Sequence, residues 1–161
     1  NLNNQFISII YSDLWGDYWG YFTFTSRFLN DGRNQLNIGD YLARVNIVSI
    51  ITTLIIICFC YLTYKKYKSN FIIQYINLAW IISFTGYLIF TIAFPNSTGD
   101  TIKSTYIIQA FHLMVFLASI YFYDLKRLNK KIYNGILIIL VAIYIHNFQS
   151  YLSHFPIGFY P

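Results

Sequence analysis

The chain has 161 residues, of which 57% are hydrophobic and 11% charged, with a formal net charge of +5 at pH 7. Soluble domains carry about 25% charged residues, so this composition excludes an ordinary soluble domain and points to an all-α integral membrane protein. Seven of the 11 lysines and arginines sit in two short clusters, "KKYK" (65–68) and "KRLNKK" (126–131), each between apolar runs. That pattern is a topology signal, and it argues against nucleic acid as the partner of the positive charge.

The first 44 residues form an aromatic and acidic segment whose densest stretch is "YSDLWGDYWGYF" (11–22). A helix over 12–29 would place Asp13, Gly16, Asp17 and Gly20 on one narrow face, with Trp15, Tyr18, Trp19 and Phe22 on the opposite one. Such a short interfacial helix would set its aromatics among headgroups and leave its aspartates in water. An extended chain would instead line up Asp13, Trp15, Asp17 and Trp19, and the pattern does not decide between the two. Carboxylates at i and i+4 can hold a divalent cation or act as an acid/base pair. Only Asp40 and Asp100 are placed to add oxygen ligands.

Four apolar runs follow, over 45–64, 71–94, 105–123 and 132–149. Crossing ~30 Å of hydrocarbon takes about 20 apolar residues in a helix, so each reads as a transmembrane helix and 45–161 as one four-span domain. Loops 65–70 and 124–131 carry the basic clusters and are expected in the cytoplasm, which puts both termini on the extracytoplasmic side of a microbial cytoplasmic membrane. Cys58 and Cys60 would point about 200° apart on a helix, so neither a mutual disulfide nor a shared metal is expected. The chain opens at Asn1 with no initiator Met and no signal-peptide pattern, which reads as a processed chain or a piece of a longer protein.

The outer face carries a second polar cluster, "GDTIKSTY" (99–106). Lys103, at the mouth of the third span, either snorkels to the interface or offers a point charge to a phosphate beside a helix N-terminus. His112 lies about 10 Å deeper by helical rise, where a polar side chain is expected to face other protein. His146 and Asn147 leave the membrane at the same outer surface. No nucleophile elbow, phosphate-binding glycine loop or Cys/His metal spacing is present.

Read together, "YSDLWGDYWGYF" ahead of a span, "DYLARVNIVSI" (40–50) opening it, "GDTIKSTYIIQAFHL" (99–113) and "IYIHNF" (143–148) resemble the C-terminal half of polytopic GT-C-type glycosyltransferases. These are relatives of protein mannosyltransferases and lipid A aminoarabinose transferases. The resemblance implies sugar transfer from a polyprenyl-phosphate carrier to an extracytoplasmic acceptor, this chain supplying the carrier-side half. By that implication Lys103, and secondarily Arg44, would contact the carrier phosphate, where a cation stabilises the leaving charge. Asp13, Trp15, Asp17, Tyr18 and Trp19 would line the sugar or acceptor side, with Asp100 also binding substrate and His146 and Asn147 either supporting those groups or contacting the acceptor. The family's presumed catalytic acid lies in a first extracytoplasmic loop with no counterpart here. No catalytic residue is therefore assigned, and the expected partners include a missing N-terminal half as well as the lipid. The competing reading is a non-enzymatic small membrane subunit, whose Trp15 and Trp19 would be exposed in the isolated chain and covered by a partner.

Overall fold

The computed structural model describes residues 6–16, 32–94, 104–148 and 150, without the side chains of 32–39. Among them the architecture is entirely helical: α1 (Phe6–Trp15), α2 (Gly32–Lys66), α3 (Phe71–Ala93), a 3-10 turn (Ser104–Tyr106), α4 (Ile108–Leu128) and α5 (Lys130–His146). Three segments are long and apolar enough to cross a membrane: Asp40–Lys66 of α2, Phe71–Ala93 and Ile108–Leu128. The fourth expected span corresponds to α5, whose 17 residues reach about 25 Å, the short limit for the hydrocarbon layer.

Two tight turns explain how the helices reverse. At the first, Asn70 caps α3 by accepting the backbone N–H of Ile73 at 3.2 Å, a satisfied N-terminal donor. At the second, the expected loop of 124–131 shrinks to one residue. Asn129 ends α4 and starts α5, its side-chain oxygen accepting the N–H groups of Lys131 and Ile132 at 3.1 Å each. Both reversals lie at the same end, which gathers Lys65, Lys66, Lys126, Arg127, Lys130 and Lys131 there; this is the basic end.

α2 is longer than the expected span. Its 35 residues make about 52 Å of helix, and it passes without a break through the expected boundary at 44/45. α4 is the central helix, packed against α2, α3 and α5. Leu117, 0% exposed, joins Cys60 and Ile73 in one cluster, while Phe59 of α2 stacks on Phe122 at 6.0 Å. The Thr63 hydroxyl donates to the Leu117 carbonyl at 2.7 Å in the buried α2–α4 seam. At the basic end Asp124 accepts from Lys66 at 2.8 Å and from the Tyr67 hydroxyl at 2.7 Å, tying the two helices together at the water boundary. Cys58 is exposed and Cys60 buried, and both are free thiols, as their helical spacing requires.

Candidate functional site

Described helix in the N-terminal segment runs over Phe6–Trp15, ahead of most of the expected 12–29 stretch. Its apolar run, "FISIIY", supplies the buried face: Phe6 and Ile10 pack with Ile107 against Phe84 and Tyr87 of α3. At its other end Trp15 does not face headgroups. It is 8% exposed, meets Phe111 of α4 edge-on at 5.7 Å, and donates its indole N–H to the Thr53 hydroxyl at 3.0 Å. Thr53 lies about 20 Å along α2 from Lys66, inside the hydrocarbon layer measured from the basic end. This end of α1 is thus inserted into the helical core rather than resting on its rim, and Trp15 lacks the exposure that the subunit reading requires of it.

Neighbouring contacts fix that insertion. The Tyr11 hydroxyl donates to the Asn46 carbonyl at 2.6 Å, and the Asn46 amide donates to the Ser12 hydroxyl at 2.9 Å. Burial pushes the Tyr11 phenol above its ordinary pKa, with the Thr53 hydroxyl pulling the other way, so Tyr11 remains a donor at neutral pH. Gly16 permits the close approach to α2: a Cβ there would stand 3.0 Å from the Ser12 carbonyl oxygen and 3.1 Å from Leu42 Cδ2.

With α1 seated in this way, a cavity of about 650 Å³ opens between α2 and α3. α4 forms its floor through Ala110, Phe111 and Met114, and α1 closes one end through Ile7, Leu14 and Trp15. Along α2 it reaches from Thr53 to Tyr64, about 17 Å of helix. The rim residues Ile57, Tyr61 and Ile81 are roughly half exposed, so the cavity opens sideways between two spans, toward lipid. Its volume lies within the range of about 300–1,000 Å³ typical of small-molecule sites.

The wall is apolar because its polar groups are already satisfied. Asn77, 6% exposed, donates to the Ile73 carbonyl at 3.0 Å and accepts from Trp80 Nε1 at 3.3 Å and from the Cys60 thiol at 3.9 Å. Thr53 accepts from Trp15 and donates to the Ser49 carbonyl at 3.0 Å. A ligand here meets hydrocarbon, aromatic rings and a long channel, which suits an extended alkyl or isoprenoid chain and disfavours a sugar.

The expected site residues divide into three groups. Asp17, Tyr18, Trp19, Asp100 and Lys103 lie outside the described residues. Asp13 is half-buried on α1 and Arg44 is exposed on α2, toward the end away from the basic clusters. Asn147, 0% exposed, proves to be a clamp between helices: it donates to the Ser49 hydroxyl at 2.8 Å and shares a 2.8 Å contact with His146 Nδ1. Ser150 extends the clamp, donating its N–H to the Tyr41 hydroxyl at 2.9 Å and its hydroxyl to the Asn147 carbonyl at 2.8 Å.

The 3-10 turn immediately after Lys103 packs against α1. Its Ser104 is 0% exposed, and Ser104 Oγ has no hydrogen-bond partner among the described residues. Within those residues no three His, Cys, Asp or Glu side chains gather as a metal-ligand set. The groove itself was not singled out in the sequence; its signals are the paired Trp15 and Thr53 and the in-span Asn77 beside Trp80. No protein-family model, curated protein or solved structure matches the chain.

Proposed function

We propose that this chain is the carrier-side part of a membrane glycosyltransferase, and that the groove between α2 and α3 holds the isoprenoid tail of a polyprenyl-phosphate-linked sugar. The observation that carries the reading is the groove: an apolar channel of about 650 Å³, open sideways at Ile57 and Ile81 and closed by the inserted α1. The resemblance of the "YSDLWGDYWGYF" and "GDTIKSTYIIQAFHL" stretches to the GT-C superfamily supplies the headgroup chemistry. In this reading α5 is a fourth, short span, the basic end is cytoplasmic, and both termini are extracytoplasmic.

The carrier's headgroup then sits beyond the α1 end of the groove, on the side where the 3-10 turn Ser104–Tyr106 packs against α1. Lys103 neutralises the phosphate leaving group, with Arg44 as an auxiliary cation. The sugar is held by Asp13, Asp17, Tyr18, Trp19 and Asp100, and Trp15, buried against Phe111, is not among its contacts. His146 orients Asn147 and does not touch substrate. The catalytic acid comes from a part of the enzyme outside this sequence.

Binding of a fluorescent polyprenyl-phosphate sugar to the full protein in nanodiscs tests this. Ile57→Trp and Ile81→Trp, which fill the groove from opposite walls at partly exposed positions, are expected to weaken binding at least tenfold. Ile89→Trp, on the outward face of α3 away from the groove, should leave it unchanged. Equal affinity in all three variants would remove the groove from the carrier site.

A further inference from the structure

The outward faces of the spans differ in one respect. Outside the groove rim, the exposed face of α2 is Ile47, Ile50, Ile51 and Leu54, and that of α3 is built from Ile72, Tyr75, Leu78, Ile82 and Ile89. These are ordinary lipid-facing surfaces. α4 is different: the face turned away from its buried side chains Ala110, Leu117, Ala118 and Leu125 carries Gln109, His112, Phe116, Ser119 and Tyr123, all exposed. By helical rise from Asp124, Ser119 lies about 7 Å, His112 about 18 Å and Gln109 about 22 Å from the basic end. All three polar groups therefore fall within a hydrocarbon layer of ~30 Å.

Local backbone bonds satisfy only part of this stripe. Gln109 donates to the Tyr106 carbonyl at 3.1 Å and Ser119 to the Phe116 carbonyl at 2.7 Å, which leaves both side-chain oxygens able to accept. The His112 ring has no hydrogen-bond partner among the described residues. Lipid tails offer nothing to such groups, and ionisable or amide side chains at this depth face protein. The spacing 109–112–116–119–123 alternates three and four residues, the seam on which helices interlock side by side.

Charge selects among occupants. A second copy related by a two-fold axis along the membrane normal would lie parallel. It would set Phe116 against Phe116 and, at the basic end, the Lys126–Arg127 pair against its like, a repulsive arrangement. Arg127 already covers the Tyr123 ring, 4.8 Å from its centroid, and donates to its hydroxyl at 2.7 Å, which holds the positive charge on this face. The complement is an acidic residue on a different helix.

We propose that the outward face of α4 is a docking seam for a membrane-spanning helix of different sequence. That helix presents hydrogen-bonding side chains to His112 and Ser119, a small residue to Phe116, and an acid to Arg127. The seam lies on the opposite side of α4 from the groove and does not depend on what the groove binds.

Photo-crosslinking of the full protein in its native membrane tests the seam, with a benzophenone amino acid placed at Phe116, Ser119, Leu78 or Ile82. The 116 and 119 positions are expected to yield one peptide adduct at least fivefold above the 78 and 82 positions. Its sequence should be an apolar helical segment containing hydroxyl, amide or carboxyl side chains and a terminal acid. His112→Leu should reduce the adduct from position 119 at least fivefold, and His112→Gln, which keeps the hydrogen-bonding capacity, should restore it. Lipid adducts alone at all four positions would overturn the proposal. So would an adduct to α4 of a second copy, or yields indifferent to His112→Leu.

Discussion

Seating of α1 in the helical core rests on Trp15, and a double-mutant cycle with Thr53 measures it. Trp15→Phe keeps a ring against Phe111 but removes the indole N–H that donates to Thr53 at 3.0 Å. Side-chain hydrogen bonds in membrane proteins average about 0.6 kcal/mol in such cycles, with a maximum near 1.7. Thr53 keeps its own donation to Ser49 after the change, so no hydroxyl proton is orphaned and the lower half of that range applies. The smaller ring also forfeits roughly one to two buried carbons at about 0.8 kcal/mol each, which brings the total for Trp15→Phe to about 2 kcal/mol. Thr53→Val leaves the indole N–H buried without an acceptor and costs about 1–2 kcal/mol. Unfolding in mixed micelles with increasing SDS, followed by circular dichroism, gives the four free energies. The expected coupling is about 0.6–1 kcal/mol. A coupling indistinguishable from zero, with Trp15→Phe costing less than about 0.5 kcal/mol, would refute the insertion of this end of α1.

Other substitutions probe separate parts of the fold. Asn147→Ala removes the buried link between α5 and Ser49 and is expected to cost about 1–3 kcal/mol in the same unfolding assay, whereas His146→Gln should cost far less. Gly16→Ala should destabilise by about 1–3 kcal/mol, because the new methyl meets a backbone oxygen at 3.0 Å. Gly86→Ala and Gly135→Ala, with nothing within 4 Å of the added carbon, should be neutral or slightly stabilising. Asp124→Asn should loosen the basic end, since it weakens acceptance from both Lys66 and Tyr67; faster amide exchange at the end of α2, with no change near Thr53, is the expected signature.

Much of the helical frame is readable in the sequence because composition, length and charge all act on whole segments. Apolar runs of about 20 residues make long helices whatever their packing partners, and "KKYK" and "KRLNKK" mark the two reversals. Asn129 shows the limit: its basic neighbours suggest a loop, yet one side-chain oxygen caps the next helix so well that one residue suffices. Trp15 shows another. Its placement follows from a hydrogen bond to Thr53 and a ring contact to Phe111, neither of which leaves a trace in local periodicity. The described helix of the N-terminal segment covers Phe6–Trp15, and most of the 12–29 stretch, helical or extended, lies outside the described residues. Asn147 looked like an outer-surface polar group and is instead a buried clamp. His112 was expected to face other protein and is instead exposed on α4.

A polyprenyl chain bound in the groove between α2 and α3 can be located with a diazirine-bearing polyprenyl phosphate. After photolysis in the full protein, label is expected to concentrate on the groove walls, in 53–64 of α2 and 77–84 of α3. Excess unlabelled polyprenyl phosphate should displace it, and Ile57→Trp should abolish it. Label spread evenly over the outward faces, at Ile47, Ile72 and Ile89 as much as at the groove, and indifferent to competitor, would contradict binding in the groove.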